Sequence, residues 1–105
     1  MAVTAPGFLK LPVEAHQHRL SVQLYTIREA IEKDLEGSLK RLANIGFKNV
    51  ETAFWPKSVS VESAAGHLKE AGLKVSSCHV DIPTKDNIKT LVNTAKAYNP
   101  ENLIW

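Results

Sequence analysis

Residues 42–51 read LANIGFKNVE, and residues 68–75 read LKEAGLKV. Each segment places Leu, three residues, Gly, an apolar residue and Lys in that order and then reaches a valine, and Gly46 and Gly72 stand 26 positions apart. In both, a run with helical spacing meets a glycine, which enters the left-handed conformation that stops a helix without steric penalty. A short strand-like run follows the glycine each time. A helix, a glycine stop and a strand, repeated, form the pattern of parallel strands joined by crossover helices.

The same alternation extends in both directions from this pair. The candidate strands are LSVQLY (20–25), KNVETA (48–53), KVSSCHV (74–80) and NLIW (102–105). Between the first two, Leu35, Leu39, Leu42, Ala43 and Ile45 recur at helical spacing, preceded by TIREAIEKD (26–34), which can hold a helical turn of its own. The second helix is predicted from Val61 to Ala71, with Ser60 as N-cap and Gly72 as stop. The third carries Asp86 in its first turn and Ile88, Leu91, Val92 and Ala95 on one face, and it stops before Pro100.

Composition bounds the function. A chain of 105 residues, 44% hydrophobic and 23% charged, has the makeup of one globular unit and is too short for two full domains. The formal charge of +2 is spread among scattered acids and bases, with no basic run of the kind a nucleic-acid-binding arm shows, so no nucleic-acid partner is expected. Cys78 is the single cysteine and permits no internal disulfide, which fits a reducing, cytoplasmic setting. No stretch approaches the ~18 consecutive apolar residues of a membrane span, so no membrane partner is expected. Residues 1–19 contain Pro6, Gly7 and Pro12 and lack both periodicity and the apolar run of a secretory signal, so they read as an irregular leader. Its His16 and His18 lie two apart, but nothing else in the leader supports a metal site.

Three polar residues fall near the carboxyl ends of the predicted strands at equal steps. Gln23, Glu51 and His79 are separated by 28 and 28 residues. That step matches one unit of an eight-unit barrel, which totals ~250 residues. Their neighbours Val22, Leu24, Val50, Cys78 and Val80 are apolar, so strand alternation sends those toward the helices and the polar residues to the other face. Each residue alone is also accounted for by packing: a Gln capped by backbone, a Glu paired with a nearby Lys, a His satisfied by a carbonyl. The shared spacing favours a common pocket.

Together, LSVQLYTIRE (20–29), GFKNVE (46–51) and AGLKVSSCHV (71–80) resemble the first three strand regions of the xylose-isomerase-like barrel superfamily, the sugar phosphate isomerases and epimerases. The resemblance covers about residues 20–105. It implies an α/β fold that is a partial (β/α)8 TIM barrel, about three βα units plus a fourth strand. Residues 20–105 would then be the N-terminal half of such a barrel, a half-barrel fragment. It further implies that Glu51 and His79 act catalytically in a sugar or sugar-phosphate pocket, with Gln23 and Tyr25 at its mouth and Trp55 near it on the following loop.

Many members of the family hold a divalent metal (Mn, Mg, Co or Zn) that polarises a sugar carbonyl while a carboxylate or imidazole moves the proton on the adjacent carbon. Their main metal-binding groups come from strands further along than Trp105. This chain alone is therefore expected to bind no metal and to be catalytically inactive.

Other residues have two readings each. Arg28 follows the first strand where a cation can steer an anionic phosphate, and it also suits pairing with Glu29 or Glu32 on a helical turn. Phe54, Trp55 and Pro56 form an aromatic turn that can stack on a sugar ring or cover the barrel interior. Cys78 reads as a small buried hydrophobe, and pairing with His79 is disfavoured because adjacent strand residues point to opposite faces.

Three rival readings carry different consequences. A self-associating α/β module would join copies through edge strands near 20–25 and 102–105. An apurinic endonuclease-like nuclease would want more histidines and a basic face. A flavodoxin-like doubly wound domain would show another strand order and helices on both faces. No G-x-G-x-x-G or G-x-x-x-x-G-K is present, so a strand-loop-helix phosphate cradle is not supported.

Overall fold

The computed structural model describes residues 20–105, so the leader expected at 1–19, with His16 and His18, lies outside the described residues. Four strands, β1 (Ser21–Gln23), β2 (Asn49–Thr52), β3 (Lys74–His79) and β4 (Asn102–Ile104), form one sheet in chain order with every pair parallel. Helices α1 (Arg28–Lys33) and α2 (Leu35–Ile45) fill the first crossover, α3 (Val61–Glu70) the second and α4 (Ile88–Tyr98) the third. Consecutive order is the order of a barrel wall. A flavodoxin-like sheet would place β1 between two other strands, whereas here β1 lies at one edge of the sheet.

Local chemistry sets the helix ends. Asp34 caps α2 by accepting from the Gly37 amide at 3.0 Å, and Ser60 caps α3 by accepting from the Ser63 amide at 3.0 Å. Gly46 and Gly72, the pair that marks the repeat, both have positive φ, at 122° and 76°. Each turns the chain out of a helix and into a strand. The repeat then closes on itself, because the Lys74 amide donates to the Lys48 carbonyl at 2.9 Å.

One face of the sheet packs on the helices. Leu39, Val50, Ala64, Leu68 and Cys78 are fully or almost fully buried there, with Leu24, Ile31, Leu42, Leu73, Val80, Leu91 and Tyr98 around them. Burying a leucine such as Leu39 stabilises the fold by roughly 2 kcal/mol. The opposite face carries Gln23, Glu51, Ser77 and His79, and in a closed barrel it would be the inner wall.

The structure corrects three expectations. The first strand does not reach residue 25: the chain leaves the sheet after Gln23 as a 3-10 turn, Leu24–Ile27, which puts Leu24 in the core. Asp86 is not in the first turn of α4, which starts at Ile88; the turn before it is closed by Thr84 and Asn87, each backbone amide donating to the other's side chain at 2.7 and 3.3 Å. On α4 it is Leu91 and Tyr98 that enter the core, while Ile88 and Val92 stay exposed. A four-residue apolar spacing alone does not say which flank of a helix meets the sheet.

Candidate functional site

Gln23 and Glu51 stand directly opposite each other on β1 and β2. The Gln23 amide donates from Nε2 to Glu51 Oε2 at 2.6 Å, and the Ser77 hydroxyl donates to Glu51 Oε1 at 2.8 Å. Both carboxylate oxygens are thus aimed by neutral donors, and among the described residues these, not a lysine, are its partners. The site's wall is a carboxylate held in one orientation on the open face of three adjoining strands.

A one-residue irregularity in β3 makes this possible. Val50 pairs with Val75, but Glu51 pairs with Ser77, so Ser76 is an extra residue in the ladder. A bulge of this kind re-aims the side chains around it. Ser76 reaches the Ser21 hydroxyl at 2.7 Å and the Val50 carbonyl at 3.2 Å, while Ser77 reaches Glu51. Beyond the bulge the alternation resumes, with Cys78 buried in the core and His79 back on the face of Glu51.

His79 is therefore not level with Glu51. The residue opposite Glu51 is Ser77, and His79 lies two positions further along, opposite Ile104 of β4. Its ring is near that of Phe54, with centroids 6.2 Å apart and planes tilted by 38°. The equal step of 28 residues corresponds to direct pairing for Gln23 and Glu51 but not for Glu51 and His79.

Tyr25, Arg28 and Trp55 gather in a neighbouring cleft. The Arg28 guanidinium lies 4.2 Å over the Tyr25 ring and donates from Nη1 to the Tyr25 carbonyl at 3.0 Å. Among the described residues it is Tyr25, not Glu29 or Glu32, that holds this cation. The cleft, about 440 Å³, is lined by Tyr25, Arg28, Glu29, Phe54, Trp55 and Pro56 among others. Phe54 belongs to both places, lining the cleft and meeting His79.

Trp55 turns its polar end away from the inner face. Its indole N–H donates to the Tyr98 hydroxyl at 2.7 Å. Tyr98 is 9% exposed, and burial pushes its phenol up to about 12, against the opposing pull of the Trp55 bond. The sequence gives no sign of this partner, because the two residues are 43 positions apart. The equal spacing does not single out Ser77 either, although its place in SSCH two residues before His79 puts it on the same face.

Cys78 has no part on this face. It is fully buried and paired in register with Thr52, and burial raises its thiol above the ordinary range while the Thr52 hydroxyl opposes the shift. Among the described residues there is no group of three or more His, Cys, Asp or Glu side chains arranged to hold a metal ion. A divalent ion needs several such ligands, and Glu51 and His79, which stand at different levels of the sheet, do not by themselves fit one. Among the described residues, no helix is long and apolar enough to cross a membrane.

Sheet order, crossover helices and a polar cluster at the carboxyl ends of parallel strands define a partial (β/α) barrel. No family model matches the sequence, and no curated protein does. Among solved structures the chain is similar to a sugar phosphate isomerase/epimerase from Parabacteroides distasonis ATCC 8503, with a TM-score of 0.53, 20% sequence identity and coverage of 75% of this chain. The match covers 32% of that chain, so the present chain spans about a third of its length. The likeness is one of fold, and it is to part of a TIM barrel.

Proposed function

We propose that residues 20–105 are the amino-terminal part of a sugar or sugar-phosphate isomerase/epimerase-like barrel, with the inner sheet face as a wall of the substrate pocket. The observation that carries this reading is the Glu51 carboxylate, held at the end of β2 by Gln23 and Ser77. A carboxylate fixed by neutral donors suits the proton transfer at a carbon next to a carbonyl that isomerisation and epimerisation share. His79, further along the same face, would serve the sugar oxygens. The cleft with Arg28 and Tyr25 suits the far end of the substrate, where a guanidinium meets a phosphate. A divalent metal of the kind the family uses would have to be held by groups other than these.

As a separate polypeptide the chain is proposed to be inactive, because four strands wall only part of a pocket. Epimerisation of a ketose by the purified chain with manganese, abolished by Glu51→Gln, overturns the inactivity. The pocket itself is tested by titrating a ketose or ketose phosphate into isotope-labelled chain. Shifts centred on Gln23, Glu51 and Ser77 support the reading, and a titration that moves none of them at saturating sugar sinks it.

A second reading, a self-associating α/β module without catalysis, is favoured by the sheet edges. β1 and β4 are the outer strands, and Leu20, Ile104 and Trp105 beside them are exposed. Open strand edges template pairing with further chains. Sedimentation at high concentration decides it, since a strictly monomeric species removes this reading.

A further inference from the structure

Two adjacent rings in the loop after β2 face opposite layers. Trp55 enters the helix layer, where its indole N–H meets the Tyr98 hydroxyl at 2.7 Å at the last residue of α4. Phe54, 58% exposed, turns the other way and meets the His79 ring at 6.2 Å. We infer that Trp55 and Tyr98 are positioning residues that hold Phe54 across the His79 imidazole, so that Phe54 governs what reaches that imidazole.

The geometry gives the reason. Residues 53–56 belong to no helix or strand, so side-chain anchors carry much of the burden of placing them. The proline at 56 disfavours helical backbone at Trp55 and biases it toward extended conformations. In extended backbone successive side chains point to opposite sides, so a bond that fixes Trp55 in the helix layer also fixes Phe54 on the inner face. The anchor is costly to lose, because it joins a half-buried indole N–H to the hydroxyl of the buried Tyr98. Tyr98 is its phenol acceptor, and its long ring spans the distance from the end of α4 to the loop.

For function, a ring beside an imidazole selects molecules that present an apolar C–H face to the ring and an oxygen to the histidine, as a pyranose or an open-chain ketose does. This substrate class rests on the isomerase/epimerase reading above. The coupling from Tyr98 to His79 stands without it.

The test reads the chemical shifts of the His79 ring protons by NMR at one fixed pH, assigned with His79→Gln, with the His67 ring as internal control. Phe54→Leu removes the neighbouring ring and is expected to shift the His79 ring-proton signals, leaving those of His67 in place. Tyr98→Phe, which removes only the hydroxyl, and Trp55→Phe, which removes only the N–H and part of the ring, are expected to move His79 in the same direction as Phe54→Leu. A purely structural bond would lower thermal stability in these two variants and leave His79 at its original values, and that result overturns the inference. So does a Phe54→Leu variant with unmoved His79 signals. Failure of every ketose to bind, with the His79 coupling intact, removes the substrate class alone.

Discussion

Gln23 and Glu51 face each other across β1 and β2, and the amide of one donates to the carboxylate of the other at 2.6 Å. Ser77 takes the second oxygen at 2.8 Å, so a single half-buried carboxylate ties together three strands. Hydrogen bonds to a charged group contribute about 1.5–3 kcal/mol, and partial exposure brings each of these nearer to about 1. Ser77→Ala and Gln23→Ala are each expected to lower the unfolding free energy by about 1 kcal/mol in urea titrations. Because both donors serve one acceptor, the double variant should depart from additivity by roughly 0.5 kcal/mol or more. Strictly additive losses would mean that the carboxylate does not couple the two strands.

Tyr98 gives the fold a dependence on high pH. Its phenol is pushed up to about 12 in the folded chain, against about 10 in an unfolded one. Below about pH 10 the phenol is protonated in both states and its contribution to stability is fully present. As pH rises toward 12 the unfolded chain loses the proton more readily, and the contribution is lost. The urea midpoint of the wild-type chain should therefore fall more steeply above pH 10 than that of Tyr98→Phe. Parallel curves for the two proteins would show that Tyr98 titrates normally.

Much of this arrangement is legible from residues alone, and the parts that are not share a cause. Gly46 and Gly72 mark the helix-to-strand turns because only local backbone chemistry is involved, and Gln23 and Glu51 share a face because parallel strands one unit apart pair in register. The bulge at Ser76 shifts the third strand, so the equal spacing that picks out His79 does not put it beside Glu51. A trace of the bulge is present in the sequence, where apolar Val75 and Cys78 stand three positions apart; strict alternation would put them on opposite faces, yet both pack on the core. The direction of Trp55 had no such trace. It depends on Tyr98, a residue brought near by tertiary packing between the second and third crossovers.

The Cys78 thiol tests whether the sheet opens locally. Fully buried, with its pKa raised by burial, it is a protonated and shielded group rather than a nucleophile. A disulfide reagent should label it slowly in the native chain and rapidly in urea, with the native rate following the fraction of chain that has opened. Rapid native labelling at neutral pH would show that the β2–β3 pair, where Thr52 faces Cys78, separates without global unfolding.

Two helical glycines should respond oppositely to the same substitution. Gly66 in α3 has open space where a Cβ would go, so Gly66→Ala should stabilise the chain by about 0.5–1 kcal/mol through backbone entropy and helix propensity. Gly37 in α2 has the same intrinsic gain available, but an added Cβ would run into the Asp34 carboxylate, whose Oδ1 accepts from the Gly37 amide. Displacing that side chain gives up an N-cap worth about 1 kcal/mol, which cancels the gain. Gly37→Ala alone is therefore expected to leave stability unchanged or lower it. In an Asp34→Ala background, where the cap is already gone, Gly37→Ala should recover about 0.5–1 kcal/mol. Thermal unfolding of the four proteins closes the cycle, and a Gly37→Ala single variant as stabilised as Gly66→Ala would show that Asp34 does not cap α2 in solution.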